Sequence, residues 1–237
     1  MCNRTCHAPP PPVPPRPARP GYEHCASAPP AGELGGPDVS HYQGTIDWPA
    51  VAATGAGFAI AKATEGTGYV DPMFAANWRG MHASGVRVRG AYHYGRPGDD
   101  AEAQARHLVS TVGLLRAGDF LALDIESDDG VGPAETAAWS VAFVTTAMAV
   151  SGLPPSRVVV YTGAWFWNSH AGGSAALGGH PLWISGYVKS APPMPTGWSS
   201  WAFWQYTDAA SLSGVSRGVD YSRFNGTRAQ LEEMMGL

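Results

Sequence analysis

The chain has 237 residues, 44% of them hydrophobic and 14% charged, and its formal net charge is −4. These values are typical of a globular protein with one large domain, and the acidic balance without any basic block excludes a general nucleic-acid-binding surface. The longest apolar run, residues 137–150, has about 14 residues, fewer than the ~18 that a membrane-spanning helix needs, so no membrane insertion is predicted.

Residues 1–35 are predicted to be a disordered, proline-rich tail or linker. The segment HAPPPPVPPRPARPG has too much proline for a helix or a packed strand and few large apolar residues to offset the entropy of ordering. No apolar stretch of signal-peptide length is visible in it. All three cysteines, Cys2, Cys6 and Cys25, lie in this tail with a spacing that fits no standard zinc site. The domain is predicted to span residues 36–237 and to fold without a disulfide.

Residues 36–237 alternate between short β-branched or aromatic runs and amphipathic segments, a pattern typical of βα units around a parallel sheet. The predicted strands lie, in chain order, in the segments PDVSHY, GFAIAKAT, VRVRGAYHYG, DFLALDIES, RVVVYTG, PLWISGY, WAFWQYT and VSRGVDYSRF. The first five strands form βα units, whereas helix patterns thin out after the fifth. The sequence therefore predicts an α/β barrel of eight strands whose last three strands lack full crossover helices.

The helix after the third predicted strand has one apolar face. Its apolar residues recur at spacings of four, three, four and three: Ala101, Ala105, Leu108, Val112 and Leu115. Asp99 and Glu102 form the predicted capping pair at its start. Gly118 is predicted to end this helix.

Two carboxylates occur in the fourth predicted strand, FLALDIES. Asp124 and Glu126 share one face of the strand with Ala122, while the leucine and isoleucine residues between them face the other side. In a barrel the acids would point to the axis at the carboxyl end of the strand, where barrel enzymes build their active sites. Their Cα atoms would be roughly 6.5 to 7 Å apart, close enough to separate the two pKa values as glycoside hydrolysis requires. The plain alternative is an acidic, solvated strand end.

Other acidic residues fall at the ends of other predicted strands. Asp38 lies on the first, Glu65 follows the second and Asp220 lies on the last. Because the first and eighth strands of a closed barrel are neighbours, Asp38 and Asp220 are expected to meet. Each acid taken singly could be a cap or turn residue, but their convergence at one rim favours a catalytic site.

Aromatic residues are predicted at the same strand ends: Tyr92, Tyr94, Tyr161, Trp183, Tyr187, Trp204 and Tyr206. Flat rings beside carboxylates suit sugar faces, and Gln205 and Lys62 could bind sugar hydroxyls. Tyr92 and Trp183 are predicted to line the site. The domain's histidines have no metal-ligand spacing, so no metal site is expected, and His93 is predicted to be a buried histidine bonded to a barrel neighbour.

The ordered motifs DVSHYQG, KATEG, GAYHYG, LDIE, LWISGY, WQYT and GVDYSRF resemble the family-25 glycoside hydrolases, the bacterial and phage muramidases, over residues 36–237. The resemblance implies a TIM-like (β/α)5(β)3 barrel that needs no cofactor. It implies hydrolysis of the β-1,4 bond between N-acetylmuramic acid and N-acetylglucosamine in peptidoglycan, by a monomer acting outside the cell or at the cell wall. Gly186 stands where family members commonly have another residue.

The resemblance also implies roles for the acids. Glu126 looks like the family's general acid. Asp124 looks like the carboxylate that orients the 2-acetamido group or stabilises developing positive charge, and Asp38 and Asp220 match the remaining family acids. The spacing of Asp124 and Glu126 is compatible with a retaining mechanism, an inverting one, or attack by the substrate's own acetamido group.

Two other functions compete with this interpretation. A chitinase-like or other N-acetylhexosaminidase barrel with the pattern D-x-x-D-x-D-x-E would use Asp119, Asp124 and Glu126, but its second aspartate is replaced by Ala122. A non-catalytic module that binds cell-wall glycan would need rings and hydrogen bonds but not four acids.

Overall fold

The structure is a computed structural model, and it describes residues 34–237. The three cysteines and nearly all of the predicted tail lie outside the described residues. Strand β1 begins at Gly35, and the division of the chain at residue 36 stays a prediction.

The described residues form nine strands and six α-helices. The strands are β1 (Gly35–Val39), β2 (Phe58–Glu65), β3 (Tyr69–Val70), β4 (Val88–Tyr94), β5 (Asp119–Asp124), β6 (Val158–Gly163), β7 (Leu182–Ser185), β8 (Phe203–Ala210) and β9 (Val219–Phe224). The helices are α1 (Trp48–Ala53), α2 (Phe74–Ala83), α3 (Ala101–Val112), α4 (Pro133–Ser151), α5 (Ala164–His170) and α6 (Arg228–Met234).

Eight of these strands close into a barrel in the order β1-β2-β4-β5-β6-β7-β8-β9, with β9 returning to β1. Neighbours are parallel from β1 to β8, whereas β9 runs antiparallel to both β8 and β1. A helix follows each of the first five barrel strands, so the predicted (β/α)5(β)3 barrel is confirmed. The short β3, which the sequence did not predict, pairs with β2 outside the ring.

Strand alternation separates the barrel interior from the layer beneath the helices. In β5, Phe120 and Ala122 belong to the interior cluster, while Leu121 and Leu123 pack in the outer one, as predicted. The amino-terminal end of the barrel is filled by rings, with Phe120 stacked on Phe203 at 5.7 Å between centroids. A Cβ atom at Gly90 would lie 2.4 Å from the Phe120 ring, so only glycine leaves room for that ring. Helix α6 covers this end of the barrel.

Aromatic side chains cover the outer face of the last strands. Among the described residues, no helix connects β7 to β8 or β8 to β9. The Arg223 guanidinium lies 4.6 Å from the ring of Trp204 and 4.5 Å from that of Tyr206, and Trp204 Nε1 donates to the Gly186 carbonyl at 2.6 Å. Trp204 and Tyr206, two of the predicted strand-end rings, face outward, because their neighbour Gln205 points inward and the side chains of a strand alternate.

Helix α3 differs from its prediction at both ends. It ends at Val112, because Gly113 adopts a positive φ of 71° and its N–H bonds back to the Val109 carbonyl. At the start, Asp100 rather than Asp99 is the cap, accepting the Ala103 N–H at 2.7 Å. Gly118 also has a positive φ, of 85°, but serves the turn into β5.

His93 lies fully buried between β4 and the helices, as predicted. Its Nδ1 is 2.8 Å from Thr64 Oγ1 on β2, and its Nε2 donates to Gln104 Oε1 on α3 at 2.9 Å. The ring also stacks on Phe143 of α4. Burial lowers the pKa of His93 to about 4, although the bond to Gln104 opposes this shift. The residue is therefore a neutral link between the sheet and two helices.

This pKa predicts how stability depends on pH. Between pH 6.5 and about 4 the unfolded chain binds a proton at His93 that the folded chain does not, so the free energy of unfolding should fall as the pH falls through this window. The expected contribution is about 3 kcal/mol across the window. Urea unfolding of the wild type and of His93→Gln at pH 7 and pH 4.5 measures it: the variant should lose less stability on acidification. Equal losses in the two proteins would contradict the prediction.

Candidate active site

Two of the predicted acids meet where the barrel closes. Asp38 of β1 and Asp220 of β9 are register partners. The side-chain amide of Gln205 on β8 donates to both of them, at 3.0 and 3.1 Å to the two Asp38 oxygens and at 3.3 Å to Asp220 Oδ2. Asp38 is buried and Asp220 is half-buried, so this seam presents a carboxylate pair at the carboxyl-terminal mouth of the barrel.

Two phenols fix the orientation of the Gln205 amide. Tyr161 Oη donates to Gln205 Oε1 at 2.8 Å, and Tyr187 Oη donates to the same oxygen at 3.0 Å. With its oxygen accepting two hydrogen bonds, the amide can offer only its NH₂ group to the acids. Gln205 is 1% exposed, so the network joining β1, β6, β8 and β9 is shielded from solvent.

The second acidic pair lies at the end of β5. Asp124 is the last residue of the strand and 5% exposed, and it pairs in register with Tyr94 on one side and Tyr161 on the other. Glu126 was predicted within the strand, but it lies two residues beyond the strand end and is half-buried. Burial, followed by the charges of Glu126 and Asp124, raises the pKa of Tyr94. Tyr94 therefore lies within electrostatic reach of both carboxylates.

Two cations connect Tyr94 to Glu65. Lys62 Nζ lies 5.1 Å from the centre of the Tyr94 ring, and the Arg96 guanidinium carbon lies 4.8 Å from it. Lys62 also pairs with Glu65 Oε2 at 2.7 Å, and Arg96 Nε donates to Glu65 Oε1 at 2.9 Å. Burial would raise the pKa of Glu65, but these two cations lower it below its ordinary value. Glu65 is thus an ionised anchor for Lys62 and Arg96.

The predicted sugar-binding rings lie at different depths. Tyr92 is half-buried, whereas Trp183 and Tyr161 are each 2% exposed. Trp183 packs edge-on against Tyr161 at 4.6 Å and against Tyr92 at 6.3 Å, and its Nε1 donates to Ser222 Oγ at 2.9 Å. Trp183 and Tyr161 are therefore enclosed in the barrel, and Tyr92 is the one of these three rings that is partly exposed.

Asp119, the first acid of the chitinase-like pattern, is remote from the mouth. It begins β5, five residues before Asp124, which corresponds to roughly 16 Å along a strand. It is fully buried and paired with Arg89, whose Nε donates to Asp119 Oδ1 at 2.6 Å. The side chain of Ala122 lies in the barrel interior. Asp119 is therefore a structural ion-pair partner, and this spacing assembles no four-acid cluster.

Residues 37–215 match the family model for Glycosyl hydrolases family 25. The chain belongs to this family. Among the relatives of this family-25 hydrolase, Lysozyme M1 of Streptomyces globisporus is 38% identical over 209 residues, covering 83% of this chain and 69% of that protein. The N,O-diacetylmuramidase of Chalaropsis sp. is 33% identical over 200 residues, covering 78% of this chain and 93% of that protein.

Solved structures agree with this family assignment. The bacterial lysozyme of Streptomyces coelicolor superimposes with a TM-score of 0.81 at 34% identity, covering 87% of this family-25 hydrolase and 98% of that chain. The muramidase of Acremonium alcalophilum gives a TM-score of 0.78 at 31% identity, covering 86% and 99%. The whole described barrel is therefore shared with these two structures.

Two features of the family-25 hydrolase were missing from the predicted site. Tyr94 was noted among the strand-end rings but not as a site residue, and Arg96 was not noted at all. The motif GAYHYGR could have indicated both residues. Positions 92, 94 and 96 are two residues apart, so they share the strand face that carries Tyr92. Within residues 34–237, no cluster of three or more His, Cys, Asp or Glu side chains could hold a metal ion, and no helix is long and apolar enough to span a membrane.

The Gln205 network yields a second prediction. Gln205→Leu removes the donor shared by Asp38 and Asp220 and the acceptor shared by Tyr161 and Tyr187. The expected loss is about 3 kcal/mol in the free energy of unfolding, because several buried polar groups lose a partner at once. Urea unfolding measures it. Gln230→Leu, which removes an exposed hydrogen bond at the start of α6, is the control and should cost about 1 kcal/mol. A loss as small for Gln205→Leu would contradict a central role for the network.

Proposed function

We propose that this chain is a muramidase that hydrolyses the β-1,4 bond between N-acetylmuramic acid and N-acetylglucosamine in peptidoglycan. The names of its relatives support this substrate, since they are a lysozyme and an N,O-diacetylmuramidase. The single observation that carries the proposal is the ring of acids around the barrel mouth. Asp38 and Asp220 lie on one side, and Asp124 with Glu126 lies at the end of β5.

Glu126 is proposed as the general acid. Its position just past the end of β5, half-buried rather than enclosed, suits a group that must reach the glycosidic oxygen of a bound polymer. It would donate its proton to that oxygen as the bond to the sugar carbon breaks. The leaving sugar departs as an alcohol, and a water molecule completes the hydrolysis.

Asp124 is proposed to stabilise the charge that develops on the sugar. Its side chain points into the mouth from the last position of β5 and is nearly enclosed, so its field acts with little screening by water. From there it can orient the 2-acetamido group of the substrate or stabilise an oxocarbenium-like ring. Asp38 and Asp220 are proposed to complete this negative surface, with Gln205 holding them in place.

Two of the remaining predicted residues, Tyr92 and Lys62, are proposed to contact the sugar directly. Tyr92 offers a partly exposed ring face, with Trp183 and Tyr161 supporting it from below. Lys62 is proposed to bind a sugar hydroxyl, and Glu65 fixes the direction of its ammonium group. These contacts suit a polar ring with apolar CH faces.

The proposed substrate determines where the enzyme acts. Peptidoglycan lies outside the cytoplasmic membrane, so the chain is proposed to act in the extracellular space or at the cell wall, with glycan strands as its partner. All of the acids named above belong to one chain, and the proposed site is complete in a monomer.

The role of Glu126 predicts a separation of binding from turnover. Glu126→Gln should lower the rate on purified cell walls by 10² to 10⁴-fold, the scale of general acid catalysis, while sedimentation with cell walls stays close to that of the wild type. A turbidity assay measures the rate. Glu135→Gln, at an exposed position in the first turn of α4, is the control and should match the wild type. An unchanged rate in Glu126→Gln would rule out the acid role.

The identity of the cleaved bond provides a further test. Digestion of purified peptidoglycan followed by mass spectrometry should reveal new reducing ends that carry N-acetylmuramic acid. New ends with N-acetylglucosamine would indicate a different hexosaminidase. Binding without any product would indicate a glycan-binding module.

A further inference from the structure

Trp165 is a large aromatic side chain that the proposed site does not use. It is the second residue of α5 and follows directly on β6, the strand that carries Tyr161. The helix starts where β6 ends, so Trp165 lies at the same carboxyl-terminal rim as the acids. Its side chain is 70% exposed, which is unusual for a tryptophan.

Neighbouring side chains hold Trp165 in place. Its ring packs edge-on against the imidazole of His170 at 4.9 Å between centroids. The Phe166 ring stacks on the same imidazole at 5.1 Å. His170 Nδ1 is hydrogen-bonded to Asp128 Oδ2 at 2.6 Å. The ring is thus supported from one side and open on the other.

The same contacts connect Trp165 to the proposed general acid. Asp128 lies two residues after Glu126, so the His170–Asp128 pair ties the loop after β5 to helix α5. The hydrogen bond from His170 lowers the pKa of Asp128 below its ordinary value. The surface that carries Trp165 is therefore continuous with the loop that carries Glu126.

The exposed aromatic side chains of the described residues lie at the mouth of the barrel. In residues 34–237 the exposed large apolar side chains are Tyr42, Val70, Leu114, Val150, Trp165 and Leu237. Both aromatic members follow barrel strands at the mouth, Tyr42 after β1 and Trp165 after β6. Leu114 follows α3 and Val150 lies in the last turn of α4, both at the opposite end of the barrel. Exposed rings thus occur at the end where a sugar polymer would lie.

We propose that Trp165 is the stacking platform of an outlying sugar subsite, which binds an N-acetylhexosamine ring of the same glycan strand beyond the cleaved bond, on the β6 side of the mouth. The inference rests on the proposed function and extends it to the length of glycan bound. A pyranose has apolar CH faces that pack on an indole, and a strand crossing the mouth continues past the acids. Stacking that is equally strong in the bound substrate and in the transition state lowers KM and leaves kcat unchanged.

The test compares long and short substrates. Trp165→Ala should raise KM for soluble glycan strands of more than ten sugars by about tenfold, with kcat within about twofold of the wild type. For a tetrasaccharide that covers only the sugars around the cleaved bond, both constants should stay unchanged. Trp165→Phe keeps a ring and should recover most of the loss. Leu114→Ala removes an exposed apolar side chain at the opposite end and should behave as the wild type.

Binding without turnover separates this inference from the proposed function. In the Glu126→Gln background, Trp165→Ala should weaken binding of the long strands by a similar factor and leave tetrasaccharide binding unchanged. Equal losses on long and short substrates would overturn the subsite, and so would no loss on long strands. If the wild type cleaves neither substrate, the muramidase proposal fails, and the binding comparison still decides whether Trp165 holds glycan.

Discussion

The whole site depends on the direction of one amide. Gln205 accepts two phenolic hydrogen bonds at its oxygen, and its NH₂ group is thereby committed to Asp38 and Asp220. A carboxylate pair at a strand seam would repel itself if it had only carboxylate neighbours. A neutral donor between the two acids lets both stay close to the mouth. The interior rings place β8 and β6 so that this amide reaches both sides.

Within residues 34–237 no helix connects the last three strands, and side chains cover their outer face instead. Trp204 and Tyr206 both contact the Arg223 guanidinium, at 4.6 and 4.5 Å from their ring centres, on the outer face of these strands. Arginine suits this position because its planar cation stacks on rings and its stem is apolar. The same strands turn Gln205, Asp220 and Ser222 inward. Strands β8 and β9 therefore supply both the aromatic side chains on the outer face of the barrel and part of the site.

The periodicity of the sequence predicts which face of each strand a side chain occupies. It does not predict how deeply a side chain is buried or which residues of distant strands are paired. The interior position of Ala122, on the strand face that it shares with Asp124, and the pairing of Asp38 with Asp220 follow from alternation and ring closure. The outward direction of Trp204 and Tyr206 likewise follows from alternation around the inward-facing Gln205. The burial of Trp183 depends on how rings from three strands share the interior. Strand β2 has a register shift between Lys62 and Thr64, just before Glu65, which accepts from Arg96, and no local pattern reveals this shift.

The seam between β1 and β9 couples assembly of the site to completion of the fold. Gln205 and Asp38 are 167 positions apart in the chain, so their hydrogen bond closes a long loop at a high cost in chain entropy. Contacts of such sequence separation are reached late and slowly, because chain entropy must be lost before they contribute. A sheet without β8 and β9 would carry Asp38, Asp124 and Glu126 but would lack Gln205 and Asp220. Without Gln205 and Asp220, Asp38 would lack both its hydrogen-bond donor and its register partner, so closure of the ring is a condition for the complete site.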